Sequence, residues 1–476
     1  MQHEQPIIVG LDIGTTKIAA IAGRKNEFGK LEILGFGRAN SNGVQHGMVL
    51  NIDQTIKAIQ TALERCIESN PELEAEIHEV YVGIAGQHIK SLQTRGDIVR
   101  QNIEDEISQD EIDRLVADQY RTYIPLGDQI IDVIPQQFTV DNHPNIPNPI
   151  GYSGVKVGAN FHIITGDKNA IRNINRSVEK SGLKTKDLVL QPLASAAAVM
   201  SEQDLEAGVA IVDIGGGTTD LAVFSEGVLK YTAVIPFGGE NITNDIKLGL
   251  GVLRTQAEAM KVQFGSALSD QTKANTFITI PGLRGMAPKE IAVKNLANII
   301  QARMSEIMDF VTYHLKQVGL DSRSLNGGII LTGGGSQLKH LLQLTEFLTG
   351  LNARIGYPNE HLSGDHLAEL EKPMYSTCIG LILKGYNDYE NKYKSTVAEE
   401  VTEKSWKKVT HKADVQIDIE EPVLETPVNQ AVKTEEPIIV EPRKKTLKAF
   451  LDSIKTDIIN LFQEEDDKEF EELKNQ

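Results

Sequence analysis

Two apolar segments, each interrupted by an acid and a cluster of glycine and threonine, constrain the fold of this chain more than any other feature. The first spans Ile8–Ile21, and the second, about 200 residues further on, spans Val209–Phe224. Runs of β-branched apolar residues are typical of buried strands, and glycine clusters between them are typical of turns. Each segment is therefore predicted to be a hairpin, and the repeat predicts two related half-domains.

Both predicted turns have the composition of a phosphate-binding loop. Glycine lets the backbone approach a ligand closely, and successive N–H groups in such a turn form a nest that suits phosphate oxygens. Threonine hydroxyls and Lys17 add donors. The candidate binding residues are Gly14, Thr15, Thr16, Lys17, Gly215, Gly216, Gly217, Thr218 and Thr219. We expect the two loops to close on one nucleotide from opposite sides.

Each hairpin also carries an acid where the strand gives way to the turn. These acids are Asp12 and Asp213. Carboxylates so placed can hold Mg²⁺ through its water shell. Both are therefore candidate metal-binding and catalytic residues.

The composition limits the partners of the chain. A length of 476 residues with 40% apolar content allows two or more domains with real cores, and a net charge of −18 argues against a nucleic-acid partner, which needs a basic surface. Cys66 and Cys378 have neither disulfide nor metal-ligand spacing, so we expect a reducing compartment and buried thiols. We expect no signal peptide and, since no apolar stretch reaches about 18 residues, only peripheral membrane contact.

The pattern between the hairpins is that of an α/β protein with an insertion. Helical periodicity and strand composition alternate as far as about residue 393. The composition changes over 83–165, which predicts a small α+β insertion in the first half-domain. The predicted helices are Asn51–Ser69, Gln109–Arg121, a helical region Asn241–Gly265 and Ile291–Val318, and the predicted strands include Val80–Ala85, Ile130–Val140 and Ala159–Ile164.

Two further segments suit the nucleotide cleft. Gln191 precedes a run of small residues and can orient an attacking water; the alternative is a buried hydrogen-bonding role. An apolar strand at Ile329 leads into a third glycine turn. This turn either suits an adenosine against its backbone or is an ordinary strand–helix turn. The turn residues are Gly333, Gly334, Gly335 and Ser336.

A third set of candidates follows the second hairpin. Gly239 and Glu240 lie in a Gly-Gly-Glu turn, and Glu258 and Lys261 are spaced to share a helix face. These side chains can meet a ribose or a purine edge. For Glu258 and Lys261 the alternative is a solvated ion pair.

The C-terminal part has a different character. Acids, lysine, threonine and proline dominate as far as Pro442, which predicts a disordered tether. A predicted amphipathic helix follows, with lysines beside one apolar face. The face consists of Leu447, Phe450, Leu451, Ile454, Ile458, Leu461 and Phe462, and the lysines are Lys444, Lys445 and Lys448. The helix is predicted to lie in a membrane interface; the alternatives are a groove on a partner or the body of the chain itself.

Five motifs in this order resemble those of the actin/Hsp70/sugar-kinase ATPase superfamily. They are the phosphate-1, connect-1, phosphate-2, adenosine and connect-2 motifs, at Asp12–Lys17, Gln191–Ala196, Asp213–Asp220, Thr332–Ser336 and Tyr375–Gly380. The resemblance covers residues 6 to 393. The insertion, with Gly83–His88 and Asn148–Tyr152, and the tethered terminal helix are similar to the FtsA family of actin-like bacterial cell-division proteins.

The resemblance implies an actin-like two-lobed α/β fold with duplicated mixed-sheet half-domains, an inserted α+β subdomain, a tether and a terminal helix. The implied parts are a first lobe of 6–82 with 166–206 and 372–393, the insertion 83–165, a second lobe of 207–238 with 325–371, a subdomain 239–324, the tether 394–442, the helix 443–463 and an acidic tail 464–476. The acidic tail departs from the family, because we expect the family to end near the helix.

The resemblance also implies a function. Such a protein binds ATP and Mg²⁺, polymerises with itself, and holds the C-terminal tail of FtsZ on the subdomain 239–324. Its terminal helix fixes the assembly to the cytoplasmic face of the anionic inner membrane at the division site. Its insertion recruits later divisome membrane proteins. ATP turnover is expected to be slow at most and to act as a switch.

Three other classes share parts of this pattern. A metabolite kinase of the superfamily needs a sugar-binding block, which we do not find. A chaperone ATPase needs a folded substrate domain after residue 393. A pilus-assembly adaptor has a related fold, but the terminal amphipathic helix argues against it.

Overall fold

The computed structural model describes residues 5–101, 104–273, 275–282, 287–319, 324–364 and 368–392. These residues belong to one structural unit, Met1–Lys404, and the second unit, Ser405–Gln476, contains none of them. The predicted tether, amphipathic helix and acidic tail therefore lie outside the described residues. Within the described ranges, no helix has the length and apolarity required to cross a membrane.

Two five-stranded sheets form the centre of the described structure. The first has the spatial order Lys184–Leu190, Glu79–Ile84, Ile8–Ile13, Lys17–Lys25 and Leu31–Asn40. The second has the order Ala353–Ile355, Ile329–Thr332, Val209–Ile214, Thr219–Ser225 and Val228–Ile235. In both sheets the middle strand is antiparallel to the strand that follows it in the chain and parallel to its other neighbour. The shared order and directions confirm the predicted duplication.

A third sheet lies in the predicted insertion. Its four antiparallel strands have the order Lys90–Val99, Lys156–Asp167, Asp128–Val140 and His143–Ile146. Apolar residues of this sheet, including Phe138 and Phe161, pack against Leu115 of the helix Gln109–Gln119 in a core of their own. A separate core is what a small α+β insertion requires.

The helices cover the sheets. They are Ile52–Glu68, Lys168–Lys180, Gln191–Val199, Glu202–Ala207, Gly239–Leu250, Arg254–Phe264, Val293–Gln317, Leu341–Thr349 and a helix over 376–392. Short 3-10 turns occupy Pro71–Ala75, Ser269–Gln271, Gly334–Gln337, Pro358–His361, Ala368–Glu371 and Pro373–Tyr375. The helix Ile52–Glu68, which the sequence predicted at Asn51–Ser69, buries Ile59 and Leu63. The side chain of Asn51 caps it by accepting the N–H of Gln54.

Two predicted helices differ from the observed ones. The helical region expected at Asn241–Gly265 is two helices, because Gly251 at φ 58° ends the first in the left-handed conformation. The long helix expected from Ile291 begins at Val293 instead. The residues before it, Lys289–Ala292, pair with Phe277–Ile280 in a small two-stranded sheet.

Both cysteines are free and buried, as predicted. Burial raises the pKa of Cys66 to about 11 and also raises the pKa of Cys378. Because the thiolate is the reactive form, neither thiol is activated.

Candidate functional site

The two hairpin turns face each other across one cleft of about 230 Å³. The turn after Ile329–Thr332 and the first residue of the helix Gln191–Val199 complete its walls. The predicted site residues that line it are Asp12, Gly14, Thr15, Thr16, Lys17, Gln191, Asp213, Gly215, Gly216, Gly217, Thr218, Gly333 and Gly334. Four segments that are distant in sequence thus meet, with the duplicated turns opposite each other.

The two turns close in the same way. The N–H of Gly14 donates to the carbonyl of Lys17 at 3.0 Å, and the N–H of Gly215 donates to the carbonyl of Thr218 at 2.9 Å. The residues between these pairs form the tip of each turn. Their amides are the donors that a phosphate group would meet.

The tips interlock, threonine against glycine. A Cβ on Gly216 would lie 2.4 Å from Cγ2 of Thr16, and a Cβ on Gly217 would lie 2.5 Å from Oγ1 of Thr15. Real side chains do not approach so closely. The second turn therefore requires glycine at these two positions because the threonines of the first turn occupy the space.

The first acid is paired with a cation. The ammonium of Lys17 lies 2.6 Å from Oδ2 of Asp12, and the amide of Gln191 donates to Oδ1 at 3.1 Å. Burial disfavours the charged form of Lys17 and so lowers its pKa. Attraction to Asp12 and the hydrogen bond from Lys17 to that carboxylate outweigh burial, so the pKa of Lys17 is raised. Lys17 is therefore held as a protonated ammonium beside Asp12 in the cleft.

Neutral hydroxyls hold the second acid. Oδ2 of Asp213 accepts from Oγ of Ser195 at 2.6 Å and from Oγ1 of Thr377 at 3.3 Å. The two hydroxyls also lie 2.9 Å from each other. Burial raises the pKa of Asp213, and the nearby charge of Asp12 adds to the effect. A bound cation would favour the ionised form of this carboxyl.

A further buried carboxyl lies beside Asp213. Asp220 is directly opposite Asp213 in the hairpin and is only 2% exposed. Its Oδ2 accepts from Oγ1 of Thr218 at 3.0 Å, whereas its Oδ1 has no hydrogen-bond partner among the described residues. Burial and the charge of Asp213 raise the pKa of Asp220 to about 8. A neutral carboxylic acid is thus favoured here at neutral pH.

Some predicted residues support the cleft from behind. Thr219 is buried and donates to the carbonyl of Phe237, and Ser336 donates to the carbonyl of Gly333. The backbone N–H groups of Gly239 and Glu240 donate to the carbonyls of Gly215 and Gly216. Gly335 packs against Ile214. These residues hold the turns in place and do not line the cavity.

The charged candidates of the third set bind each other. The ammonium of Lys261 lies 2.8 Å from the carboxylate of Glu258 and donates to the carbonyl of Gly239 at 2.9 Å. Glu240 pairs with Arg254. The ion pair that the spacing of Glu258 and Lys261 allowed is therefore formed.

Ser195 and Thr377 were missed as site residues. Both lie inside motifs that the sequence shows, Ser195 in the run of small residues after Gln191 and Thr377 in the connect-2 motif, but neither was predicted to bind Asp213. Ser195 follows Gln191 by four residues, so both share one face of a helix. That spacing was the available signal for Ser195. The cleft is also lined by Arg38, Asn40, Gly47 and Met374, for which the sequence offered none.

Comparison with known proteins identifies the family. A family profile described as "Cell division protein FtsA" matches residues 210–380, and one described as "SHS2 domain inserted in FTSA" matches residues 86–165. The chain is 38% identical over 383 residues to the cell division protein FtsA of Neisseria meningitidis serogroup B, covering 80% of this chain and 91% of that protein. The chain belongs to the FtsA family of cell division proteins.

Other relatives agree with this assignment. The FtsA of Escherichia coli K12 is 32% identical over 394 residues, which cover 82% of this chain and 92% of that protein. Among solved structures, a PilM–PilN type IV pilus biogenesis complex has a TM-score of 0.59 at 14% identity, covering 79% of this chain and 98% of that one. MreB 5 of Spiroplasma citri bound to AMPPNP has a TM-score of 0.50 at 14% identity, covering 83% and 99%. These two likenesses concern the fold, and they confirm the predicted actin-like architecture of this FtsA-family chain.

Proposed function

We propose that this FtsA-family chain binds ATP with Mg²⁺ in the cleft between its paired hairpins. The interlocked turns support the proposal most directly, because they bring two amide-rich tips and the Lys17 ammonium to one place. Such donors suit the oxygens of a polyphosphate. The third glycine turn, with Gly333 and Gly334 in the wall, would accept the adenosine.

The two acids fit a hydrated Mg²⁺. Magnesium keeps several waters and takes one or two carboxylates together with substrate phosphates. Asp12 and Asp213 both line the cleft, and the donors around them hold their carboxylates in fixed orientations. When bound, the ion would neutralise phosphate charge. Gln191 is our candidate for orienting a water, with slow turnover that acts as a switch.

The binding proposal is tested by titrating the full chain with ATP and Mg²⁺ in a calorimeter. We expect one site per chain, lost in Asp213→Ala. Gly364→Ala is the matched control, because a Cβ on this exposed glycine would meet nothing within 4 Å. A wild-type chain that binds no nucleotide contradicts the proposal.

We further propose that the chain polymerises at the cytoplasmic face of the inner membrane, anchors FtsZ filaments and recruits later divisome proteins. Membership of the FtsA family supports a division role. The proposed parts are those stated above: lobes 6–82 with 166–206 and 372–393, and 207–238 with 325–371, the insertion 83–165 for recruitment, and the anchor 443–463 after the tether 394–442.

The subdomain 239–324 is proposed to hold the FtsZ tail. Its two helices Gly239–Leu250 and Arg254–Phe264 leave large apolar side chains in contact with water. Leu248 is 77% exposed and Val262 is 71% exposed. A contiguous exposed apolar surface across these two helices would suit a protein partner.

Vesicle co-sedimentation tests the anchoring proposal. Vesicles with anionic lipid are mixed with FtsZ and either the full chain or a chain that ends at residue 442. We expect the full chain to carry FtsZ into the pellet and the shortened chain to leave it in solution while ATP binding persists. Equal amounts of FtsZ in both pellets would contradict the membrane role of residues 443–463.

A further inference from the structure

A two-residue turn of the first lobe reaches across the cleft to the second phosphate loop. The short strands Val44–Gln45 and Met48–Val49 pair antiparallel, with His46 and Gly47 at the tip. Both tip residues have positive φ, 47° and 76°, as a tight hairpin turn requires. Glycine accepts that conformation freely, whereas histidine adopts it less readily.

His46 binds the backbone of the opposite loop. Its ring Nδ1 lies 3.0 Å from the carbonyl oxygen of Gly217, so the ring N–H donates to that carbonyl. A Cβ on Gly217 would lie 3.0 Å from the backbone N and Cα of His46. On the other side of the tip, the N–H of Gly47 donates to Oγ1 of Thr15 at 3.2 Å. The turn therefore contacts both phosphate loops at once.

The same turn contacts the segment at Ala85 and Gly86, which is the first connection to the inserted sheet. A Cβ on Gly47 would lie 2.6 Å from the carbonyl oxygen of Ala85, and a Cβ on Gly86 would lie 2.8 Å from the carbonyl oxygen of His46. The backbones of the tip and of the connection are thus in direct contact. This close packing is the contact through which a shift of the tip could reach the connection.

His88 joins the two connections of the insertion. A Cβ on Gly86 would lie 2.9 Å from its Nδ1, and a Cβ on Gly166, in the returning connection, would lie 3.3 Å from its Cδ2. The ring is 8% exposed and lies between the two segments. The His88 ring therefore packs between Gly86 and Gly166, which lie in the two connections of the inserted sheet.

The far side of the inserted sheet rests on the second lobe through polar contacts. The amide of Gln136 donates to the carbonyl of Leu229 at 2.6 Å, and His162 lies 2.9 Å from the hydroxyl of Thr232. Leu229 and Thr232 belong to the edge strand Val228–Ile235. These contacts are buried, so a change in the orientation of the sheet would have to exchange these hydrogen bonds for others on the same strand edge.

We propose that the His46–Gly47 turn couples the phosphate loops to the orientation of the inserted sheet, with His46 as the positioning residue. The proposal rests on the proposed nucleotide binding. Closure of the loops on a nucleotide moves the Gly217 carbonyl, His46 follows it, and Gly86 passes the shift to the insertion. Adjacency alone does not establish coupling, so the test measures it.

The test is a distance measurement by pulsed electron resonance on the full chain. Spin labels are attached at Ala117→Cys, on the inserted helix, and Gln343→Cys, on the second lobe; both sites are exposed and the native cysteines are buried. Distances are recorded without nucleotide, with ADP and with ATP and Mg²⁺. ATP affinity is measured on the same samples.

Three variants separate the hydrogen bond from the backbone conformation. His46→Asn keeps a side-chain donor and tolerates positive φ. His46→Gly keeps the conformation but removes the donor. His78→Ala, at an exposed histidine of the first lobe, is the control.

We expect ATP to shift the ratio of the two distance populations about fivefold or more in the wild type, in His46→Asn and in His78→Ala. In His46→Gly, at an ATP concentration that saturates the variant, we expect a shift of less than about twofold. A full shift in His46→Gly, or no shift in a wild type that has bound ATP, overturns the coupling alone. A wild type that binds no ATP overturns the proposed function and the coupling with it.

Discussion

The two phosphate hairpins share their strand pairing and turn closure but differ in the charged residues beside the acid. Five residues after the acid, the first hairpin has Lys17 and the second has Thr218; seven residues after the acid, the first has Ala19 and the second has Asp220. The first acid is therefore neutralised by a cation, and the second is crowded by another carboxyl. The repeated hairpins give the cleft its shape, and the two differing positions place a cation on one side and a second carboxyl on the other.

The division has a physical logic. A single cation fixed on one side attracts phosphate, whereas a second cation opposite it would leave less room for Mg²⁺. The carboxyl-rich side suits a divalent ion and is held by the neutral donors Ser195 and Thr377. The comparison predicts that exchanging residues between the hairpins has unequal effects.

The largest effect is expected from Lys17→Thr, which gives the first hairpin the residue of the second. Asp12 is only 7% exposed, so it would be left as an uncompensated buried charge at a cost of about 3–5 kcal/mol of folding stability. Loss of the ammonium should weaken ATP binding about 10–150-fold. Urea unfolding and calorimetry measure the two losses. Lys168→Thr, an exposed lysine at the start of a helix, should change neither by much.

Asp220→Asn tests the second hairpin through the pH dependence of folding stability. The pKa of Asp220 is about 8 in the folded chain and near 3.8 when unfolded, so the unfolded state releases its proton first. Between about pH 4 and pH 8 this residue lowers stability as pH rises, by at most about 1.4 kcal/mol per pH unit, and the penalty is complete above pH 8.

The measurement is the free energy of unfolding of both chains from pH 5 to pH 9. The wild type should lose stability relative to Asp220→Asn across that window. Asp309→Asn, at an exposed helix position, serves as control. Parallel pH profiles for the wild type and Asp220→Asn would show that Asp220 is ionised in the folded chain.

A smaller effect is expected where the turns interlock. Gly216→Ala places a methyl group against Thr16 and should cost about 1–3 kcal/mol, either in stability or as weaker ATP binding. Thr16→Gly in the same chain restores the space, so the double variant should recover most of the loss. A double variant no better than Gly216→Ala would mean that the two tips are not in contact.

The smallest difference is expected between the two hydroxyls that hold Asp213. Ser195→Ala removes the 2.6 Å bond and should cost about 1–3 kcal/mol, because it leaves a buried carboxyl less satisfied. Thr377→Ala removes the 3.3 Å bond and should cost less. Thermal unfolding at neutral pH ranks the two. A larger loss of stability in Thr377→Ala than in Ser195→Ala would mean that Thr377 is the main residue that holds Asp213.

The sequence predicted the hairpins well because their signal is local. The apolar runs, the glycines and the acid all fall within about 16 residues, and the turn geometry depends on little else. The predicted duplication and the helix at Ile52–Glu68 followed from similarly local patterns.

Contacts between distant segments were beyond the sequence. Thr377 reaches Asp213 from 164 residues away, and nothing near either residue specifies that meeting. Glu240 likewise pairs with Arg254, 14 residues further along the chain, a partner that the sequence did not indicate. The division of chemistry between the hairpins needed the register of the folded strands, which sets Asp220 opposite Asp213.

If the paired hairpins form a nucleotide switch for assembly, filament length must depend on the nucleotide. Electron microscopy of filaments on anionic lipid compares the wild type in ATP, the wild type in ADP, and Asp213→Ala in ATP. We expect long filaments in the first case and short ones in the other two. Equal lengths in all three would contradict the switch.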